Sequence, residues 1–462
     1  MKKNFTLLII FTLIISNINT IYAQTVTDDQ EQSSPTKAYS TIWSENFPDI
    51  CAESAIIMDA ETGSILYGKN IHDQNYPASI TKILTTLIAL ENSAMNETVT
   101  FSRDSVFEVE LNSSRIGIDV DEQLTMEQAL YGIMLASANE VSYAVAEHIA
   151  DDIPSFSKLM NEKAKELGAI NSNFTNPHGL PDPNHYTTAY DMALISKAAL
   201  INEDFCEITQ TRLYTIPPTN IQEEERPLAN HHNFINRNLS FEGAIGGKTG
   251  WTSKSRHTLV TYARRDGMTL IAVIMNCPSS EDVYSDTSNL LNYTFDNFES
   301  NIVNETSTDI GDNIDFFAKY HSFFNLSNSP LQVSENGRVV LPNDIDISMT
   351  DRTINLVPIE TLNKGENIIG SIKYSYNDID IGKTDIIYNN SESDSLSKSL
   401  YLTPTKVIPT KPNNQNIKDT IAEDETHNPY IPIIIGVGVG LVVMILGFAF
   451  IYFLNPYRRY KK

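Results

Sequence analysis

Three short motifs in this chain place hydroxyl, amide and ammonium groups at spacings that suit acyl transfer. The first is Ser79-Ile80-Thr81-Lys82, and Pro77 just before it predicts the start of a helix. A serine and a lysine three residues apart share one face of a helix, so the lysine can take the hydroxyl proton if its own charge is disfavoured. The helix N-terminus adds free N–H groups where an oxyanion would form.

The Ser-x-x-Lys spacing has little weight alone, because it occurs elsewhere in the chain. The other copies are Ser34/Lys37, Ser155/Lys158 and Ser395/Lys398. The Ser79 copy differs because it begins an apolar helix, whereas Ser34 and Ser395 lie in polar spacers. As an isolated pattern it is more typical of an ordinary helix.

The second motif is Ser137-Ala138-Asn139, in a short link between two predicted helices. Two polar side chains in a tight link can point into one cleft, where Ser137 could relay a proton and Asn139 could hold Lys82 or a substrate amide. Serine and asparagine are also common helix caps, so a structural role explains the motif better when it stands alone.

The third motif is Gly246-Gly247-Lys248-Thr249-Gly250-Trp251. Glycines on a strand let a substrate backbone lie against it, and Lys248 and Thr249 offer a charge and a hydroxyl that suit a carboxylate. A phosphate-binding loop is excluded, because that pattern needs a glycine where this chain has Glu242.

The elements that must position these motifs form an α+β pattern over residues 45–300, the predicted catalytic domain. Strands at both ends and helices in the middle imply an antiparallel sheet flanked by helices. Strands are predicted at 54–58, 64–67, 258–262 and 269–276, the last two joined by an Asp266-Gly267 hairpin turn. Helices are predicted from Pro77, Thr125, Glu140, Ser155, Thr188 and Ser280, and residues 125–128 have the pattern of a capping box.

The ends of the chain carry export and anchoring patterns. Residues 1–23 have the basic start and short apolar run of a secretory signal peptide. Residues 430–454 predict a single transmembrane helix. The basic tail 455–462 then places the C-terminus in the cytoplasm and the catalytic domain on the extracellular face of the cell membrane.

Three less regular segments connect these parts. Residues 24–44 predict a polar spacer, and 301–389 predict a small all-β domain with short strands. Residues 390–428 are rich in Ser, Thr, Asn, Pro and Lys and predict a disordered stalk.

The composition excludes one class of function. With 33 Lys+Arg against 58 Asp+Glu, the net charge of −25 argues against nucleic-acid binding. The three cysteines are too few for a disulfide-built fold, and we expect them to be buried and unpaired, although one pair stays open. They are Cys51, Cys206 and Cys277. Four histidines lack the spacing of a metal site, so no metal is expected. They are His178, His185, His231 and His232.

In their order along the chain, the three motifs together resemble those of the penicillin-recognising serine enzymes. The surrounding sequence is similar to the low-molecular-mass D-alanyl-D-alanine carboxypeptidases, the DacA-like penicillin-binding proteins of peptidase family S11. The matching stretches are 58–63, 77–82, 135–140, 179–183 and 243–250. The chain departs from that pattern at Glu140, where aspartate is commoner, at Ile245, and at Ser255-Arg256-His257.

The resemblance implies a penicillin-binding, β-lactamase-like transpeptidase fold and a serine carboxypeptidase that needs no cofactor. Ser79 would attack the bond between the two D-alanines that end a peptidoglycan stem pentapeptide, with Lys82 as its base. Ser137 would help to protonate the departing D-alanine, and Asn139 would act in positioning. β-Lactam antibiotics would acylate the same serine.

The resemblance also implies how substrate is held. Lys248 and Thr249 would bind the terminal carboxylate. Gly250 and Trp251 would complete the substrate-binding strand, and the backbone N–H groups of Ser79 and Trp251 would bind the oxyanion.

Three other functions compete with this interpretation. A class A β-lactamase needs a Glu-x-x-Leu-Asn stretch, which Glu108-Val109-Glu110-Leu111-Asn112 matches in letters. This stretch precedes Ser137-Ala138-Asn139, whereas the β-lactamase copy follows the corresponding motif. An endopeptidase that cuts cross-linked peptides and a non-catalytic wall-binding protein are the other two.

Overall fold

A computed structural model describes residue 43 and residues 46–110, 112–303, 331–357 and 363–390 of the chain. Two compact units divide the chain, Met1–Lys411 and Pro412–Lys462, and every described residue belongs to the first. The predicted signal peptide, stalk, transmembrane helix and basic tail lie outside the described residues. Within those residues, no helix combines the length and apolar character that a membrane span requires.

A five-stranded antiparallel sheet forms the centre of the first domain, in the order β2-β1-β9-β8-β7. Two small antiparallel pairs, β3-β4 and β5-β6, lie apart from it. The strands are β1 Ser54–Asp59, β2 Ile65–Lys69, β3 Thr98–Thr100, β4 Gln123–Thr125, β5 Leu213–Ile216, β6 Arg226–Ala229, β7 Ala244–Thr252, β8 Arg256–Arg265 and β9 Met268–Cys277. The sheet confirms the predicted antiparallel arrangement and its strands at both ends of the domain.

Helices occupy the middle of the domain, as predicted, and one more follows β9. They are α1 Lys82–Asn92, α2 Arg103–Phe107, α3 Met126–Leu135, α4 Asn139–Ala150, α5 Ile153–Glu166, α6 Ala189–Ala199, α7 Glu203–Gln210, α8 Asn233–Asn236 and α9 Ser280–Asn297. The predicted capping box at Thr125 is present: its hydroxyl accepts from the Gln128 N–H at 3.2 Å, and the Gln128 side chain accepts from the Thr125 N–H at 2.9 Å.

The central sheet is buried on both faces. Ile56 and Met58 of β1 belong to one apolar cluster with helices α1 and α3 to α6, while Ala55 and Ile57 belong to a second cluster with α9. Successive side chains of a strand point to opposite faces, so a strand covered on both sides needs apolar residues at nearly every position. The result is a rigid platform for the edge strand β7.

The prediction that the α-helix begins at Pro77 is wrong about the starting residue. Residues Ala78–Thr81 form a 3-10 turn, and α1 begins only at Lys82. Ala78 has a φ of +51°, a left-handed conformation that a residue with a Cβ adopts at some expense in strain. Ser79 therefore lies on a tight turn ahead of the helix, where its side chain stays partly exposed.

A second antiparallel sheet follows α9, in the order β10-β12-β15-β14-β13, with β11 paired to β15. Its strands are β10 Phe298–Ile302, β11 Leu331–Val333, β12 Arg338–Pro342, β13 Asp351–Leu356, β14 Gly365–Tyr376 and β15 Ile379–Asn390. Trp43 contacts both domains, because its indole N–H donates to the Ile65 carbonyl and its ring stacks on Tyr376.

All three cysteines are unpaired, but the prediction that they are buried holds only for Cys277. Cys51 is exposed and Cys206 is intermediate. Cys51 comes just before β1, where its backbone N–H donates to the Asp286 carboxylate at 3.1 Å. The backbone is fastened there while the thiol remains at the surface.

Candidate active site

The Ser79 turn is held between β7 and the segment around Gly179, and both approaches require glycine. A Cβ on Gly250 would lie 3.0 Å from the Ser79 nitrogen and 2.3 Å from the Thr258 hydroxyl. A Cβ on Gly179, whose φ is +85°, would lie 1.8 Å from the Ala78 carbonyl oxygen. Backbone segments can approach this closely only where no side chain intervenes. The turn is therefore fixed from two sides.

Lys82 brings together the first two predicted motifs. Its ammonium nitrogen lies 3.0 Å from the Ser79 hydroxyl, 2.6 Å from the Asn139 amide oxygen and 2.7 Å from the His178 carbonyl oxygen. The Asn139 and His178 oxygens can only accept hydrogen bonds. A neutral lysine has two N–H groups, which satisfy these two acceptors and leave the lone pair for the Ser79 proton. The arrangement is that of a general base.

The surroundings of Lys82 favour its neutral form. Its side chain is completely buried. Burial and the neighbouring Lys248 charge hold the Lys82 pKa well below its usual range, against the opposing effect of Glu140. Burial also lowers the pKa of His178 and brings that of His185 to about 4, so neither ring carries a charge near neutral pH.

Ser137 lies in the link between α3 and α4, as the sequence predicts, and Asn139 is the first residue of α4. Ser137 has a φ of +62°, a left-handed conformation unusual for a residue with a side chain. The two polar side chains contact different lysines: Asn139 accepts from Lys82, and the Ser137 hydroxyl accepts from Lys248 at 3.1 Å. Because Ser137 and Asn139 are two residues apart, these hydrogen bonds bring the three motifs together.

Lys248 lies on β7, one residue before Thr249, which lines the cleft. It is 1% exposed, and its ammonium group donates to Ser137 and to the Thr249 carbonyl at 3.1 Å. Burial lowers its pKa to about 7. An ammonium group whose described contacts are neutral oxygens retains its attraction for an incoming carboxylate.

A cleft of about 360 Å³ opens between these elements. Ser79, Ser137, Thr249, Gly250 and Trp251 all line it. Trp251 is 62% exposed at its mouth, with its ring 6.3 Å from that of His257. The structure thus brings every predicted site residue to one place. Five of them line the cleft, Lys82 contacts both Ser79 and Asn139, and Lys248 contacts Ser137.

The sequence did not reveal the contacts from the segment 175–185. The His178 carbonyl that binds Lys82 is a backbone group, which has no side-chain signature. The buried His185 ring accepts from the Thr175 N–H at 3.0 Å through Nδ1, so its Nε2–H donates to the Thr81 hydroxyl at 2.9 Å. Thr81 lies within the first motif, yet nothing in its spacing indicates a partner about a hundred residues away.

The residues of the competing interpretations lie elsewhere. Glu108 and Glu110 are exposed and do not line the cleft. Among the described residues, no group of three or more His, Cys, Asp or Glu side chains is placed to hold a metal ion. The expectation of a metal-free protein stays a prediction.

Comparison with known proteins matches residues 41–279 to the family model of the D-alanyl-D-alanine carboxypeptidases, peptidase family S11. The chain belongs to this family, which confirms the resemblance of the motifs. It is 33% identical over 254 residues to the D-alanyl-D-alanine carboxypeptidase DacF of Bacillus subtilis, covering 54% of this chain and 63% of that protein. It is 32% identical over 260 residues to DacA of Haemophilus influenzae, covering 55% and 64%. The chain therefore spans less than two thirds of the length of each.

The structural likeness extends further along the chain. Penicillin-binding protein 5 from Haemophilus influenzae matches with a TM-score of 0.57 and 26% identity, covering 74% of this chain and 98% of that one. This coverage exceeds the 54% to 55% of the sequence matches, so it reaches beyond the first domain. The fold is the penicillin-binding, transpeptidase-like α+β fold with antiparallel sheets.

Proposed function

We propose that this protein is a membrane-anchored serine D-alanyl-D-alanine carboxypeptidase that removes the terminal D-alanine from peptidoglycan stem pentapeptides. One observation carries the proposal: among the described residues, the buried Lys82 has two obligate acceptors, on Asn139 and His178, and the Ser79 hydroxyl as its third partner. Membership of the carboxypeptidase family supports the choice of substrate.

The reaction begins when the Ser79 oxygen attacks the carbonyl carbon between the two D-alanines and its proton passes to Lys82. The backbone N–H groups of Ser79 and Trp251 receive the negative charge that develops on the carbonyl oxygen. The C–N bond then breaks, and the departing amine takes a proton through Ser137. The resulting ester on Ser79 is hydrolysed by water, which restores the hydroxyl and releases the shortened peptide.

Substrate orientation follows from β7 in this proposal. The carboxylate of the terminal D-alanine binds Lys248 and Thr249, and the peptide backbone lies along the strand at Gly250 and Trp251. A β-lactam antibiotic resembles the same dipeptide in shape and acylates Ser79. Its ring keeps the leaving amine attached to the acyl group, so the ester is released slowly.

The location of the reaction is proposed from the sequence alone. A signal peptide at 1–23 exports the chain, and a helix at 430–454 retains it in the cell membrane with the tail 455–462 inside. The small β domain and the stalk 390–428 then set the distance between the catalytic domain and the membrane. Peptidoglycan is found on that outer side.

Release of D-alanine tests the proposal. The full-length protein is incubated with a D-alanyl-D-alanine pentapeptide beside the variants Ser79→Ala and Ser155→Ala. Ser155 is the matched control, because it belongs to another Ser-x-x-Lys pair on an exposed helix surface, with Lys158 77% exposed. We expect the wild type and Ser155→Ala to release D-alanine and Ser79→Ala to release none. No release by the wild type contradicts the function, and release by Ser79→Ala contradicts the nucleophile.

A further inference from the structure

Glu140 carries a fully buried carboxylate that none of the steps above uses. It follows Asn139 in the first turn of α4 and is 0% exposed. A buried carboxylate is stable only if hydrogen bonds or charges compensate for its lost hydration. The question is therefore what Glu140 does so close to Lys82.

One carboxylate oxygen of Glu140 holds a wall of the cleft. Its Oε1 accepts from the backbone N–H groups of Ile116 at 2.7 Å and Gly117 at 3.2 Å. The neighbouring Asn139 N–H donates to the Ser114 carbonyl at 2.9 Å, and Ser114 lines the cleft. Asn139 and Glu140 thus attach the segment 114–117 to the same helix turn that holds Lys82.

The other carboxylate oxygen is the unusual one. Oε2 of Glu140 is buried and has no hydrogen-bond partner among the described residues. Burial raises the Glu140 pKa above its usual value, and the Ile116 N–H and the Arg115 charge offset only part of this rise. The two backbone donors and the start of α4 favour the ionised form that they contact.

The charges that face Lys82 come from three elements. Lys248 on β7 is positive, and the segment 175–185 contributes the uncharged rings of His178 and His185. Glu140 on α4 is the negative group that acts on Lys82. When Ser79 transfers its proton, Lys82 becomes a cation in a buried site that already contains another cation.

We propose that Glu140 is a positioning residue whose carboxylate holds the 114–117 wall and balances the positive charge on Lys82 after it has taken the Ser79 proton. This rests on the acyl transfer proposed above. Oε1 performs the first task through its two N–H contacts. The charge of the group performs the second without touching the substrate. The length of the glutamate side chain lets it reach Ile116 from the α4 turn.

Two variants of the full-length protein separate the two tasks. Glu140→Gln removes the charge and keeps the size of the side chain, and Glu140→Asp keeps the charge and shortens the side chain. Glu147→Gln is the matched control, because Glu147 lies two turns further along α4 and accepts from Ser102 at 2.7 Å. The measurement is the rate constant of acylation by a fluorescent penicillin as a function of pH.

Removing a negative charge lowers the pKa of a neighbouring lysine, so the acid limb of the Glu140→Gln profile is expected to move down by about one pH unit. The acylation rate constant on the plateau of this profile is expected to fall by about tenfold, because the Lys82 ammonium formed by proton transfer is less stabilised. Glu140→Asp should keep the wild-type midpoint and lose a few-fold in rate, and Glu147→Gln should match the wild type.

An unmoved midpoint in Glu140→Gln, with a thermal unfolding temperature that shows an intact fold, overturns the charge role. A shifted midpoint of the pH profile in Glu140→Asp overturns the charge role as well. This variant therefore tests the charge role even if Glu140→Gln does not fold. A wild-type rate in Glu140→Asp overturns the role in holding the wall. These failures leave the proposed function standing, which fails separately if the wild type releases no D-alanine from a D-alanyl-D-alanine pentapeptide.

Discussion

The two lysines of the cleft share one kind of environment but differ in their partners. Lys82 and Lys248 are both almost completely buried, and among the described residues neither forms an ion pair. Lys82 contacts Ser79 and two oxygens that can only accept. Lys248 contacts the Ser137 hydroxyl and one carbonyl. Because the partners differ, the geometry suits the proposed roles of Lys82 as a base and of Lys248 as a donor to a carboxylate.

The difference shows that burial alone does not define a catalytic lysine. Both side chains lose hydration, and the pKa of each is lowered. The two oxygens that contact Lys82 can only accept hydrogen bonds, so they orient its lone pair toward Ser79. The Ser137 hydroxyl that contacts Lys248 can instead rotate to donate or accept. Function therefore follows from the hydrogen-bonding capacity of the neighbours, and each prediction below alters that capacity on one side.

Replacing Lys82 is expected to have the largest effect. Lys82→Ala removes the amine that lies 3.0 Å from the Ser79 hydroxyl, and a positioned base contributes roughly 10²- to 10⁴-fold to such a reaction. Acylation by a fluorescent penicillin measures this loss. Lys158→Ala removes a lysine from another Ser-x-x-Lys pair and is expected to keep the wild-type rate. Lys82→Ala protein acylated at more than a tenth of the wild-type rate would remove the base assignment.

Asn139→Asp is expected to come next, because it turns an obligate neutral acceptor into an anion of the same size. The new carboxylate would lie where the amide oxygen now lies, 2.6 Å from Lys82. It raises the Lys82 pKa, so the acid limb of the acylation profile moves to higher pH and the rate at neutral pH falls by roughly tenfold or more. Asn92→Asp adds the same charge at the exposed end of α1 and should leave the limb in place. A limb that moves to lower pH would be incompatible with this account.

The Lys248 prediction concerns stability and not rate. Its pKa is lowered to about 7 in the fold, whereas an unfolded chain has the ordinary lysine value of about 10.4. Between these values the unfolded chain binds more protons, so the free energy of unfolding rises with pH. We expect this rise to be larger in the wild type than in Lys248→Met by roughly 1–4 kcal/mol between pH 6 and 10, as measured by urea unfolding. Equal pH dependence of the free energy of unfolding in both proteins would show that the fold does not lower the Lys248 pKa.

Local sequence patterns predicted the central sheet and most helix positions. The capping box at Thr125 and the Asp266-Gly267 turn between β8 and β9 depend on adjacent residues, so the sequence contains their whole cause. The start of α1 was placed wrongly at Pro77. The left-handed Ala78 and the glycine contacts that hold the Ser79 turn come from distant segments, which a local pattern cannot represent.

The site shows the same limit. Ser79, Lys82, Asn139 and Lys248 belong to motifs whose residue types suit their chemistry, and the fold brings them together. The His178 carbonyl and the pairing of His185 with Thr81 were not predicted, because a backbone acceptor looks the same in every sequence. Only the three-dimensional packing selects them.

The covalent step tests the central claim most directly. The full-length protein is treated with benzylpenicillin, digested, and its peptides are examined by mass spectrometry. The account predicts one penicilloyl adduct, on the peptide that contains Ser79, and no adduct in Ser79→Ala. An adduct on another residue of the wild type, or an adduct that persists in Ser79→Ala, would contradict the claim that Lys82 activates Ser79 as the nucleophile.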